Sequence, residues 1–136
     1  MDVTQIPFAK HIGIERKEEC TLKLEPILTV QNHIQTIHAS AQYALAETQS
    51  GLFLQMAFPE LSDKVVGLLR GATVKYKNPA KTSIYAVASI VDRVKEKFLV
   101  SLIKKSRASV SVTVEVRDSN DVLTMLGEYN WFVQKL

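Results

Sequence analysis

The sequence predicts an α+β domain in which a curved antiparallel sheet wraps around one long buried helix. Three observations carry this. From His38 to about Phe58 the chain is rich in Ala, Leu, Phe and Met, holds no proline, and is apolar on nearly every helical face. Past Pro59 the pattern switches to strict alternation, with Ser109, Ser111, Thr113 and Glu115 between Val110, Val112, Val114 and Val116. The order is one early strand, then the helix, then four strands with hairpin-like joints. A helix that is apolar all round must be covered on all sides, and a sheet curved about it does so. The exposed sheet edge then calls for a partner, which a dimer would supply.

Taken in order, Pro7 to Ile12 reads as a short helix, opened by a proline that tolerates the first position and stopped by Gly13. Phe8, Ile12 and Ala9 would form a small lid-like face. Residues 14–24 read as one strand, because Cys20, Leu22 and Leu24 alternate with Thr21 and Lys23, and Pro26 ends it. Ile27 to Val30 reads as a second extended piece. The long helix spans roughly 30 Å at about 1.5 Å per residue. Residues 65–77 follow as a strand, with Ala72, Val74 and Tyr76 alternating with Thr73, Lys75 and Lys77, and Asn78-Pro79-Ala80 turns the chain. Residues 82–94 are rich in β-branched side chains. Residues 95–106 place Phe98, Leu99, Leu102 and Ile103 at helical spacing. Asp118-Ser119-Asn120-Asp121 is a hairpin turn. Residues 122–133 form the last strand, with Tyr129, Trp131 and Val133 on one face.

At 136 residues the chain is expected to be a single domain, residues 1–136, large enough to bury about two-thirds of its unfolded surface. Hydrophobic residues make up 46%, and 17 basic against 14 acidic residues leave a net charge of +3. That charge suits anionic ligands without demanding nucleic acid. Cys20 is the lone cysteine, so no intramolecular disulfide forms, and the expectation is a buried small side chain. Met1 to Pro7 lacks a basic start followed by an apolar run, and the most apolar stretch, residues 51–58, is too short to span a bilayer. The expectation is a soluble cytoplasmic protein with no membrane association.

The chemistry gathers at the mouth and along the body of the long helix. Glu47 stands among alanines on the face shared with Tyr43, Ala44, Gly51 and Leu54. A carboxylate there is costly to bury unless it is used or satisfied. Partial desolvation would raise its pKa and make it a better base near neutrality; direct attack on a carbonyl is the other use. At the helix start a backbone N–H points outward with the positive end of the dipole behind it, a place for a developing oxyanion. Asn32 and His38 lie just upstream, where the chain turns into the helix.

The spacing resembles that of the hotdog-fold acyl-CoA thioesterases of the phenylacetate-pathway type. Asn32 lies six residues before His38, and Glu47 nine residues after it. Val74-Lys75-Tyr76-Lys77-Asn78-Pro79-Ala80 resembles the family's strand ending in a tyrosine and a Pro-Ala turn, and Arg117-Asp118 with the last strand resembles its closing hairpin. The resemblance spans about residues 25–134. It implies a hotdog fold, a homodimer or dimer of dimers with a site built from both protomers, and hydrolysis of an acyl thioester without a metal or prosthetic group. Coenzyme A would enter only as part of the substrate. The implied site is Glu47 as base or nucleophile, the N–H of Ala39 at the helix start as oxyanion donor, Asn32 positioning water or the carbonyl, and His38 anchoring the loop. Three positions depart from the pattern: the family's glycine pair is Ala39-Ser40, and its usual Asp is Glu47; the serine or threonine that some members place on the next strand to hold the water has no match here. Residues 95–106 resemble an insertion.

Two other readings stay open. A non-catalytic acyl-binding or dimerising hotdog protein would tolerate these departures. His33 lies fourteen residues before Glu47, as in hotdog hydroxyacyl dehydratases, but their Pro- and Gly-rich loop is missing. Lys75, Lys77, Lys81, Arg93, Lys104, Lys105 and Arg107 could meet the phosphates of coenzyme A, although a solvated charged face is the simpler reading. His11, His33, His38 and one cysteine do not give a zinc spacing, and there is neither a Gly-rich phosphate loop nor a Gly-x-Ser-x-Gly elbow.

Overall fold

The computed structural model describes residues 1–136. Its elements are α1 (Pro7–Ile12), β1 (Glu15–Glu18), β2 (Thr21–Leu24), α2 (Ala39–Ala57), β3 (Val65–Tyr76), β4 (Ile84–Ser89), α3 (Asp92–Lys105), β5 (Arg107–Asp118) and β6 (Leu123–Lys135). The six strands form one antiparallel sheet in the order β1-β2-β4-β5-β6-β3, curved around α2. Two edges result. β1 is four residues long and wholly charged and exposed, which discourages further pairing. β3 is twelve residues long, pairs only with β6, and exposes Val66 and Leu68.

The core lies between α2 and the concave face of the sheet. Val110, Val112, Val114 and Val116 of β5 point inward, as their alternation requires, beside Met125, Tyr129 and Val133 of β6. Gly127 makes room for the Tyr129 ring: a Cβ there would come within 2.8 Å of it. A second cluster joins Phe58, just past α2, to Phe98 and Leu102 of α3 and to Ala108, Val110 and Val133. α2 is buried on most sides. Its half-buried residues Tyr43, Glu47, Gly51 and Leu54 mark one stripe, the face the sequence assigns to Glu47. Gln49 is buried and clamps the sheet to the helix: the Leu22 N–H donates to its Oε1 (2.8 Å) and its Nε2 donates to the Cys20 carbonyl (2.7 Å). No helix is long and apolar enough to cross a membrane.

Several boundaries differ from the sequence reading. Residues 14–24 form two strands, not one, because the chain reverses at Glu19-Cys20 and pairs with itself. Cys20 therefore sits exposed in a turn and is not a buried filler. Phe8 faces solvent, while Ala9 and Ile12 are buried; Gly13, at φ 86°, ends α1. Leu28–Val30 is a single helical turn, not an extended piece. The strand expected over 82–94 stops at Ser89, since the chain leaves the sheet and starts α3 at Asp92. The amphipathic segment is a helix three residues longer at its start than its apolar spacing indicated, closed by Ser106 in the left-handed region (φ 61°).

Candidate functional site

The loop before α2 is built around Asn32. Its Oδ1 accepts from the N–H groups of Ile34 (3.1 Å) and Thr36 (3.0 Å), and its Nδ2 donates to Thr36 Oγ1 (2.8 Å). Backbone bonds pin the loop at its exit: Ile37 N–H donates to the Ala80 carbonyl and His38 N–H to the Val30 carbonyl, both at 2.8 Å. The Pro79-Ala80 turn thus holds the mouth of the helix. Asn32 is engaged with its own loop, and one Nδ2 hydrogen remains for a ligand.

His38 is the N-cap of α2. Its Nδ1 accepts from the Ser40 N–H (2.9 Å), while its carbonyl receives the N–H groups of Ala41 and Gln42. A ring that accepts at Nδ1 carries its proton on Nε2, which is left as a donor on an exposed side chain. Ala39 is the first helical residue, and its N–H has no acceptor in the chain, as that position dictates. Its carbonyl is held from the sheet: the Tyr76 hydroxyl donates to it at 2.9 Å. Asn32 thus orders the loop, His38 caps the helix that follows it, and the Ala39 N–H is left at the helix start without an acceptor.

Glu47 lies eight residues along the same helix, about 12 Å from Ala39 on the axis. It is half-buried, and no ion pair involves it. Burial raises its carboxyl pKa above the ordinary glutamate range. Tyr43, one turn before, packs edge-on against Tyr129 with ring centroids 5.2 Å apart, and the Tyr129 hydroxyl donates to the Tyr43 carbonyl (2.9 Å). Desolvation raises the Tyr43 phenol, with the Glu47 charge adding to it, and desolvation likewise raises Tyr76 and Tyr129. All three phenols stay protonated donors. One turn after Glu47, the Trp131 ring stands 3.6 Å from where a Gly51 Cβ would be, its indole N–H donates to Ser50 Oγ (2.8 Å), and Ser50 Oγ donates to the Glu47 carbonyl (2.6 Å). Of the aromatic side chains along this helix, two were visible in the sequence: Tyr43 by its spacing, Tyr76 by the family pattern. Tyr129 and Trp131 read as ordinary strand aromatics. His33 stands exposed in the loop before α2.

A long central helix, a curved six-stranded sheet and the capped helix mouth define a hotdog domain. The chain belongs to the DUF4442 family, a domain of unknown function whose profile matches residues 5–133. No curated protein matches the sequence. Among solved structures, a Pseudomonas aeruginosa protein of unknown function, described as a probable thioesterase, superposes with a TM-score of 0.84 at 17% identity, covering 98% of this chain and 91% of that one. A Bacillus halodurans protein solved with CoA superposes with a TM-score of 0.71 at 24% identity, covering 93% and 74%. A Staphylococcus aureus thioesterase, solved as a mutant, gives 0.69 at 15% identity, covering 94% and 98%. These likenesses establish the fold.

Proposed function

We propose that the protein hydrolyses an acyl thioester, acyl-CoA in the first instance, to free acid and thiol. The observation that carries this reading is Glu47: a half-buried carboxylate with a raised pKa and no cation beside it, on the open stripe of the central helix. Structural carboxylates at such depth are normally paired. The relatives add support, since one was solved with CoA and others are described as thioesterases.

A base and an oxyanion donor must both come within about 3 Å of the reacting group. Glu47 and the Ala39 N–H are about 12 Å apart on one rigid helix, so a single protomer does not supply both. The long, unpaired β3 edge offers the solution: two copies joined there bring Glu47 of one subunit toward the helix mouth of the other. In this site Glu47 takes a proton from water as the oxygen attacks the thioester carbon. The carbonyl oxygen gains charge against the Ala39 N–H, and the C–S bond then breaks as the thiolate leaves and is protonated. Direct attack by Glu47, expelling the thiolate and giving a mixed anhydride that water opens at the Glu47 carbonyl, uses the same geometry. Single turnover in heavy-oxygen water separates the two, because only the anhydride route labels the enzyme carboxylate. The chemistry uses no metal or prosthetic group.

The test is thiol release from short, long and aromatic acyl-CoAs by wild type and Glu47→Ala, with sedimentation of both. Release that falls at least a hundredfold in a folded dimeric variant supports the reading. Ligand binding with no release, unchanged in Glu47→Ala, would replace it with an acyl-binding role.

A further inference from the structure

Building on the thioester-hydrolase reading, we propose that the outer face of α3 docks an acidic carrier protein that presents the acyl thioester on a phosphopantetheine arm. Residues 92–107 hold six basic residues against Asp92 and Glu96, a net +4. The whole chain is +3, so the remainder nets −1 and the positive charge of this protein resides on this one segment. None of the ion pairs involves it. Lys95 turns inward, its ammonium 5.7 Å from the Phe53 ring centroid. Arg93, Lys97, Lys104, Lys105 and Arg107 remain exposed.

The arrangement suits a protein partner. Positions 93, 97, 100 and 104 follow one another up the same helix face. Among these cations lie Val100 and Ile103, 50% and 72% exposed, while Phe98 and Leu102 hold the opposite face in the core. A small aliphatic centre bordered by four cations, Arg93, Lys97, Lys104 and Lys105, with Glu96 the one carboxylate among them, is the shape of a docking patch whose partner is acidic and mildly apolar. Two aliphatic side chains are too few to anchor the helix in a bilayer. α3 is also tied to the far end of the central helix. Phe98 packs on Phe58 with ring centroids 5.0 Å apart, and Lys95 rests on Phe53, which lies six residues beyond Glu47, about 9 Å along α2 and about 120° around it.

The experiment compares wild type with a Lys97→Glu/Lys104→Glu/Lys105→Glu variant, all exposed positions; Lys104 and Lys105 lie in the last turn of α3, where their charge favours the helix end, so a thermal melt first shows that the variant is folded at the assay temperature. The same acyl group is offered on an acyl carrier protein, on CoA and on pantetheine. The expected result is a KM for the acyl carrier raised at least tenfold in the variant and, for wild type, raised by added salt, with acyl-CoA and acyl-pantetheine unaffected. An unchanged KM for the carrier overturns the proposal. An equal rise for carrier and CoA overturns it in favour of a patch that binds the phosphates of CoA. Loss of binding to phosphatidylserine-containing vesicles with carrier turnover intact overturns it in favour of a lipid surface. Should wild type hydrolyse none of the three thioesters, the hydrolase reading fails separately. Docking is then read from binding of the holo-carrier: loss of binding in the variant upholds it, and no binding to wild type ends it.

Discussion

The Tyr76 hydroxyl donates a 2.9 Å hydrogen bond to the carbonyl of Ala39, tying the end of the edge strand to the first residue of the central helix. The next peptide along, between Ala39 and Ser40, is thus held at both ends, its carbonyl by this phenol and its N–H by His38 Nδ1, and this anchors the residue whose own N–H should receive the oxyanion. Preorganised donors of this kind stabilise charge without having to reorient as it forms.

Ala39→Pro separates that donor from the fold. Proline fits the first helical position, and His38 at φ −59°, ψ 141° already has the backbone that a following proline requires. The expected outcome is a Tm near wild type with kcat lowered roughly 10²- to 10³-fold, the usual loss of one oxyanion donor. Steady-state kinetics beside a thermal melt check this; full activity would remove the Ala39 N–H from the mechanism.

Glu47 should show itself in two pH experiments. As a base it works ionised, so kcat/KM should rise with pH through an apparent pKa above the ordinary glutamate value, and Glu47→Gln should abolish that limb with a loss of about 10²–10⁴. Stability runs the opposite way. A folded-state pKa raised by burial means the proton binds more tightly in the folded protein, so this contribution is fully present below the unfolded pKa and is lost as pH rises through the folded one. Glu47→Gln should therefore be more stable than wild type at neutral pH, with the advantage vanishing in acid. Denaturant melts at pH 4 and pH 7 read the difference.

Gln49→Ala should be among the costlier single changes. It strips the Leu22 N–H and the Cys20 carbonyl of their partners, and a buried group left unsatisfied costs about 1–3 kcal/mol. Urea denaturation should show a loss of about 2–4 kcal/mol, and faster amide exchange at Leu22 would place the lesion.

Gly51→Ala should stabilise. The new methyl would meet the Trp131 ring at 3.6 Å, an ordinary contact, and alanine gains up to about 1 kcal/mol over glycine inside a helix. A lower Tm would mean that the Trp131 ring has no freedom to accept it.

The architecture was legible because its periods are clean. Four alternating valines fix β5, and the run from His38 to Phe58 has no competing pattern. Where two signals overlapped, the reading slipped. Residues 20–24 alternate and the charged run before them carries no break, yet the chain turns at Glu19-Cys20 without a glycine or proline to announce it. At 90–94, β-branched residues favoured strand over the helix that tertiary packing imposes through Phe98 and Leu102. For the candidate site, helical spacing located Asn32, His38 and Ala39 at the mouth of the helix and Glu47 on its half-buried stripe, as the structure has them. It could not reveal that the Asn32 amide is tied into its own loop, nor that Tyr129 packs on Tyr43 and Trp131 reaches Ser50, since cross-strand neighbours depend on register.

Both reacting groups ride on one stiff helix, and this has a genetic consequence. In a homodimer of the proposed kind, a subunit carrying Glu47→Ala spoils one site of the pair, and a subunit carrying Ala39→Pro spoils the same one when the two are combined. The other site inherits neither lesion. Two inactive proteins, mixed and allowed to exchange subunits, should therefore complement each other and regain about a quarter of wild-type turnover, since half the dimers are mixed and each holds one intact centre.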